Sequence, residues 1–182
     1  MSRRRLLQTL LEQYALSPAA DLSVVQPMLA LLQAGGDPFS RENYVPGHFT
    51  ASGFVLSPSG DQMLLIFHSK LKRWLQPGGH VDPTDADIEA AARRELAEEV
   101  GLVDLERVGS GIFDLDIHAI PRSARGPEHS HFDVRFLFRA HSEHALAGSD
   151  AHEARWYPFA EVAQLNSDSS VLRVLEKLPR GL

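Results

Sequence analysis

No cysteine occurs in the 182 residues, which excludes disulfide staples, thiol nucleophiles and Cys-ligated zinc, and fits any redox compartment. No apolar run approaches the roughly 20 residues that a bilayer span needs. Met1-Ser2-Arg3-Arg4-Arg5-Leu6-Leu7 opens like a secretory leader, but Gln8, Glu12 and Gln13 interrupt the apolar stretch such a leader requires. A cytoplasmic protein without a membrane partner is therefore expected. Positive charge is in deficit, with 18 Lys and Arg against 24 Asp and Glu and a net charge of −6. That argues against a nucleic-acid partner, because phosphate contacts need clustered Lys and Arg. A small phosphorylated ligand stays open if metal ions screen its charge. Repeats and low-complexity tracts are absent too. With 43% apolar content the chain can bury one sizeable core, plausibly with an appended segment.

The stretch that concentrates chemistry runs from residue 76 to 102. Gln76-Pro77-Gly78-Gly79-His80 reads as a Gly-Gly turn, and Arg93-Arg94-Glu95-Leu96-Ala97-Glu98-Glu99-Val100-Gly101-Leu102 reads as a helix. Asp85 or Asp87 can cap the helix, Ala90, Ala91 and Ala92 propagate it, and Gly101 suits a left-handed end. Ile88, Ala92, Leu96 and Val100 recur every four residues and form an apolar stripe. Beside it, Glu95, Glu98 and Glu99 fall within an arc of roughly 100°, so their carboxylates can converge. Like charges so close repel unless a cation neutralises them. Carboxylates without Cys, and without His in the same helix, favour Mg²⁺ or Mn²⁺ over Zn²⁺. Arg94 stands four residues before Glu98 and can hold its carboxylate. The bland alternative is a solvated acidic face, which the scarcity of balancing basic residues disfavours.

Along the rest of the chain, Arg3 to Tyr14 carries Leu6, Leu7, Leu10 and Leu11 at helical spacing. Asp21 to Gln33 carries Val24, Val25, Met28, Leu29, Leu31 and Leu32 in the same way. Gly35-Gly36-Asp37-Pro38 stops the second helix. Residues 1–45 thus read as a helical hairpin that scaffolds the domain of residues 46–182, a homodimer face being the alternative. Residues 49–56 and 63–68 read as an antiparallel strand pair across a turn at Ser57 to Asp61. A basic loop follows, in which Lys70, Lys72 and Arg73 could meet phosphate oxygens or simply be solvated. Trp74 is expected to pack under a turn rather than stack on a base. Gly111 to His118 and His129 to Phe138 alternate polar and apolar, which puts His118, His131 and Asp133 on one shared polar face. That face is either the wet side of a sheet or a place for substrate or metal contact, a His-only zinc site being the weaker version. Glu153 to Phe159 reads as a last strand, Ala160 to Leu165 as a short helix, and Ser169 to Leu178 as a closing helix.

The run Arg94 to Leu102 resembles the C-terminal half of the Nudix box: Arg-Glu, an aliphatic, any residue, Glu-Glu, any residue, Gly, an aliphatic. The N-terminal half of that pattern asks for Gly, five residues, Glu, and seven more before the Arg. Here the sixth residue after Gly79 is Asp85, and eight residues separate Asp85 from Arg94. The departure is one substitution and one insertion; a loop around Pro83 to Asp87 is expected to absorb the extra residue, leaving the acids in register. The likeness extends from Gly47 to about Phe159. It implies a Nudix-type α/β/α sandwich with a mixed sheet, in agreement with the strands bracketing one central helix. It also implies hydrolysis of a diphosphate linking a nucleoside to another group, with Mg²⁺ or Mn²⁺ held by Glu95, Glu98, Glu99 and the Gly79 carbonyl. In the family's scheme Glu95 binds a metal or its water and serves as general base, and Arg94 orients the acids. A further acid from outside the box is usual, and Glu153, Asp150 and Asp133 are the candidates in that order. Substrate contacts are expected from Arg73, His118, His131, Asp133 and Glu153. Two other readings compete: a nucleotide-binding module that does not cleave, which has no need of all three acids, and an isomerase on the same scaffold, which usually needs a catalytic Cys.

Overall fold

Two long strands, β1 (Gly47–Leu56) and β7 (His129–Ala140), lie side by side in parallel and form the spine of the sheet. The computed structural model describes residues 1–18, 20–124, 126–144 and 153–179. Among these, eight strands make one mixed sheet whose path runs from β3 (Arg73–Leu75) through β2 (Gln62–His68), β1 and β7 to β5 (Leu105–Arg107). The further members are β4 (Gly78–His80), β6 (Asp114–Ile120) and β8 (Ala154–Pro158).

Each spine strand changes partner along its length. Thr50 to Ser52 of β1 pair with β4, whereas Val55 and Leu56 pair with β2. On the other side, β7 gives Arg135 and the residues before it to β6, and Phe138 to Ala140 to β5. Strands that share a spine but diverge at its ends cannot lie flat, so the sheet splits and curls.

The odd-numbered face of β1, with Phe49, Ala51 and Val55, joins Phe132, Val134, Phe136 and Phe138 in the larger core. Three helices cover it: α1 (Arg3–Ala15), α2 (Leu22–Gln33) and α3 (Ile88–Val100). The Leu-rich stripes of the first two are spent there, since Leu7, Leu11, Val25, Met28, Leu31 and Leu32 are all buried. Each such side chain contributes about 1.5–3 kcal/mol on burial. Arg3 also donates to the Asp82 carbonyl at 3.2 Å, which ties the first helix to the loop ahead of α3. The even-numbered face buries Phe54, Leu56 and Leu137 under α4 (Phe159–Val162), α5 (Ser169–Val174) and a 3₁₀ turn at Leu175–Lys177. No helix among the described residues is long and apolar enough to cross a membrane.

Two local expectations are corrected, and one strand is added. The Gly-Gly segment is a strand, β4, because Gly78 without a side chain can lie against β1; a Cβ there would stand 2.6 Å from the Ser52 Cα. The basic loop ends one residue before Arg73, which already pairs with His68 in a strand. Leu105–Arg107, too short for a periodic signal, is a strand because Phe138 to Ala140 present a free edge.

Candidate active site

Helix α3 is built as its residues dictate. Asp87 caps it by accepting from the Ala90 N–H at 2.8 Å, and Gly101 ends it at φ 70°. Ile88, Ala92, Leu96 and Val100 are buried, so the opposite side of the helix faces away from the core. In the loop before the helix Asp82 turns back on Thr84, and the Asp85 carboxylate accepts from the Asp82 N–H at 2.7 Å.

Arg94 laces this region together. Its guanidinium donates twice to Asp85, both at 3.1 Å, to Glu95 at 2.9 Å, to Glu98 at 3.0 Å and to the His80 carbonyl at 2.8 Å. Asp85 thus supplies the planar two-oxygen partner that a guanidinium fits best. Asp85 first, and Glu95 after it, push the Arg94 pKa further up. Sequence placed Asp85 at the position of the first box acid; the loop before α3 carries it onto Arg94.

The three box acids sit differently. Glu95 is largely enclosed, its side chain 14% exposed, and burial raises its pKa in spite of Arg94. Its carboxylate lies directly over Gly79, where a Cβ would come within 2.7 Å of it. Glu99 accepts from the Gly78 N–H at 2.9 Å, and Glu98 is outermost, its side chain 59% exposed. The donor chemistry, carboxylate oxygens beside a glycine backbone, fits a hard divalent cation such as Mg²⁺ or Mn²⁺.

Of the other expected site residues, His118 and His131 face each other across β6 and β7, with rings 5.4 Å apart. Asp133 is on the same face but buried at 2% exposure, its oxygens taken by Thr50 (3.0 Å), Ser52 (2.8 Å), Arg135 (2.7 Å) and Gln76 (3.4 Å). Arg73 pairs with Asp168 at 3.4 Å and Glu153 with Arg155, so each is engaged locally rather than with the box acids. Asp150 lies outside the described residues. Trp74 packs its ring against Phe67 and Tyr157.

The polar face also gathers residues that sequence reasoning missed. Parallel pairing sets His48 beside His131, and β4 brings in His80 next to Thr50. The His48 ring lies 5.1 Å from His80, 5.0 Å from His129 and 4.8 Å from His131. Behind this cluster runs a buried ionic network in which Asp114 and Asp116 meet Arg135 and Arg173, and Asp114 also meets Lys177. Only the long-range register of β1, β4 and β7 could have announced these neighbours.

The profile of the NUDIX domain matches residues 47–178, which spans the sheet and the acidic helix. The chain belongs to the Nudix family. An RNA pyrophosphohydrolase of Bradyrhizobium diazoefficiens is 33% identical over 106 residues, covering 50% of this chain and 62% of that protein. A NUDIX-family hydrolase from Clostridium perfringens has the same fold, with a TM-score of 0.55 at 24% identity over 71% of this chain and 95% of that one. The NUDIX domain of Shewanella oneidensis NrtR, solved with ADP ribose, gives a TM-score of 0.50 at 23% identity, covering 71% and 84%. The Nudix match begins at residue 47, so helices α1 and α2 lie outside it.

Proposed function

We propose that this Nudix protein is a divalent-metal-dependent pyrophosphohydrolase that cuts the pyrophosphate bond of a nucleoside diphosphate linked to another group. The observation that carries the reading is the Arg94 lattice, which holds Glu95 and Glu98 on one helix face beside Gly79 while Glu99 is held by the adjacent Gly78. The pyrophosphohydrolase name of the Bradyrhizobium relative supports the same reaction class.

Glu95, Glu98, Glu99 and the Gly79 carbonyl would hold Mg²⁺ or Mn²⁺. Bound there, the cation neutralises anionic oxygens of the diphosphate and polarises the bond to be cut. Glu95, whose proton affinity burial has raised, is the base that takes a proton from the attacking water. Arg94 fixes the rotamers of Glu95 and Glu98, and Asp85 fixes Arg94. His118, Arg73 and Glu153 are the residues we assign to substrate contact, and residues 1–45 to a scaffold outside the catalytic domain. Asp133 reaches substrate only indirectly, by setting Thr50 and Ser52.

The test is a hydrolysis screen with Mg²⁺ and Mn²⁺ over nucleoside diphosphate sugars, dinucleoside polyphosphates and 5′-triphosphorylated RNA. Turnover of a small nucleotide that stops in excess EDTA supports the reading. Full activity in EDTA removes the metal, and turnover of RNA alone moves the substrate to the class named by the Bradyrhizobium relative. Binding without cleavage of any of them turns the chain into a recognition module.

A further inference from the structure

We propose that His48, His80 and His131 form a second metal site, for a borderline divalent transition ion of the Zn²⁺ class, separate from the carboxylates of α3. One ligand nitrogen from each of the three lies within 4.8 Å of the others. Nitrogens that share a tetrahedral Zn²⁺ at 2.0–2.1 Å stand about 3.4 Å apart. Ring rotation is needed to close the difference, and the three side chains come from three different strands of one sheet.

The orientation of His48 is the decisive observation. Its Nδ1 lies 3.2 Å from the Asn43 carbonyl, which can only accept, so Nδ1 carries the proton. That leaves Nε2 as a bare lone pair. This atom is buried, in a residue only 1% exposed, and has no hydrogen-bond partner among the described residues. An unpaired buried acceptor costs about 1–3 kcal/mol, a cost that a metal bond removes. The flanking rings share the arrangement: Nδ1 of His129 lies 2.8 Å from the Pro127 carbonyl and Nδ1 of His118 lies 3.0 Å from the Asp116 carboxylate. Metal-ligating histidines are held in this way, one nitrogen on an oxygen and the other left for the ion.

Charge and ligand type agree with the geometry. Burial first, and then the neighbouring imidazoles, lower the pKa of His48, His80 and His131. Imidazole nitrogen selects Zn²⁺, Co²⁺, Ni²⁺ or Cu²⁺ over Mg²⁺, so the two sites on the chain sort different ions. β4 belongs to both: His80 enters the histidine cluster while Gly79 lies under Glu95. An ion at the histidines therefore pins the strand on which the acid centre rests.

The experiment needs no turnover. Chelator-stripped protein in excess Mg²⁺, which occupies carboxylates, is titrated with Co²⁺ and followed by its visible absorption, then by displacement with Zn²⁺. The expected result is one Co²⁺ per chain, in a tetrahedral-type spectrum that Zn²⁺ erases, with a rise in Tm. His131→Ala should weaken binding by more than about tenfold, the loss that removal of even an outer-shell partner produces. Should that variant fail to fold by circular dichroism, His80→Asn at the less buried position gives the same readout. The Glu98→Gln/Glu99→Gln pair should leave Co²⁺ binding intact. The absence of a Co²⁺ spectrum in the wild type, equal affinity in the folded histidine variant, or loss of binding in the Glu pair each overturns the site.

Discussion

Arg94 Nη2 donates to the carbonyl of His80 at 2.8 Å, which couples the acidic helix to the strand beneath it through one guanidinium. The same group grips Asp85 with two bonds. Lysine cannot reproduce this planar geometry. Arg94→Lys should therefore lower turnover together with stability, by about 2–4 kcal/mol in the latter, as expected when a partly buried charge network loses its shared partner. In a double-mutant cycle, Arg94→Lys and Asp85→Asn should couple by about 1–3 kcal/mol. Additive effects would show that Asp85 does not act through Arg94.

Glu99→Gln keeps the shape and the acceptor that receives the Gly78 N–H, while removing a charge from the expected metal centre. The effect should fall on kcat, by about 100-fold or more, with the fold intact. Turnover near wild type in a variant with unchanged circular dichroism would remove Glu99 from the metal set.

Two glycines of the same motif should respond in opposite ways. A methyl at Gly79 meets the Glu95 carboxylate at 2.7 Å, so Gly79→Ala displaces the carboxylate we propose as general base. Activity should be lost with a stability change of about 1–3 kcal/mol. Gly101 sits at φ 70° past the end of α3, so Gly101→Ala costs about 1–2 kcal/mol of backbone strain and leaves most of kcat. Steady-state kinetics beside thermal melts separate the two, and equal kinetic losses would contradict the assignment.

Local signals were legible in the chain and long-range ones were not. Helix α3 could be read from its apolar stripe and Gly101, and the mixed sheet from alternating runs, because both patterns repeat within a few residues. The strand nature of Gly78 to His80 was hidden, because glycine carries no strand preference and its pairing depends on how closely Ser52 allows the backbone to approach. His118 and His131 could be placed on one face by alternation, whereas His80 arrives there by pairing with Thr50 and His48 by pairing with His131, partners 30 (80 − 50) and 83 (131 − 48) residues apart in sequence. Asp133 read as a candidate substrate contact or additional metal-site acid; it is buried and its carboxylate accepts from four donors.

The histidine cluster should also make the metal-free protein sensitive to acid. Burial first, and then His48, lower the pKa of His80 from 6.5 to about 4, and burial followed by His48 and His80 lowers that of His131 to about 2. In the unfolded chain both titrate near 6.5. Above that pH neither state binds the protons, and the full stability is present. As pH falls from 6.5 toward 4, the unfolded chain takes up protons that the folded rings refuse, so stability declines. The slope is at most about 1.4 kcal/mol per pH unit for each such histidine. Protonating one ring also repels the next, since five imidazoles share the space: His48, His80, His118, His129 and His131. Denaturant melts of chelator-treated protein at pH 7, 6 and 5 should show the decline, and His131→Gln should flatten it. A midpoint constant over that range, or an equal slope in His131→Gln, would show that folding does not lower the proton affinity of these rings.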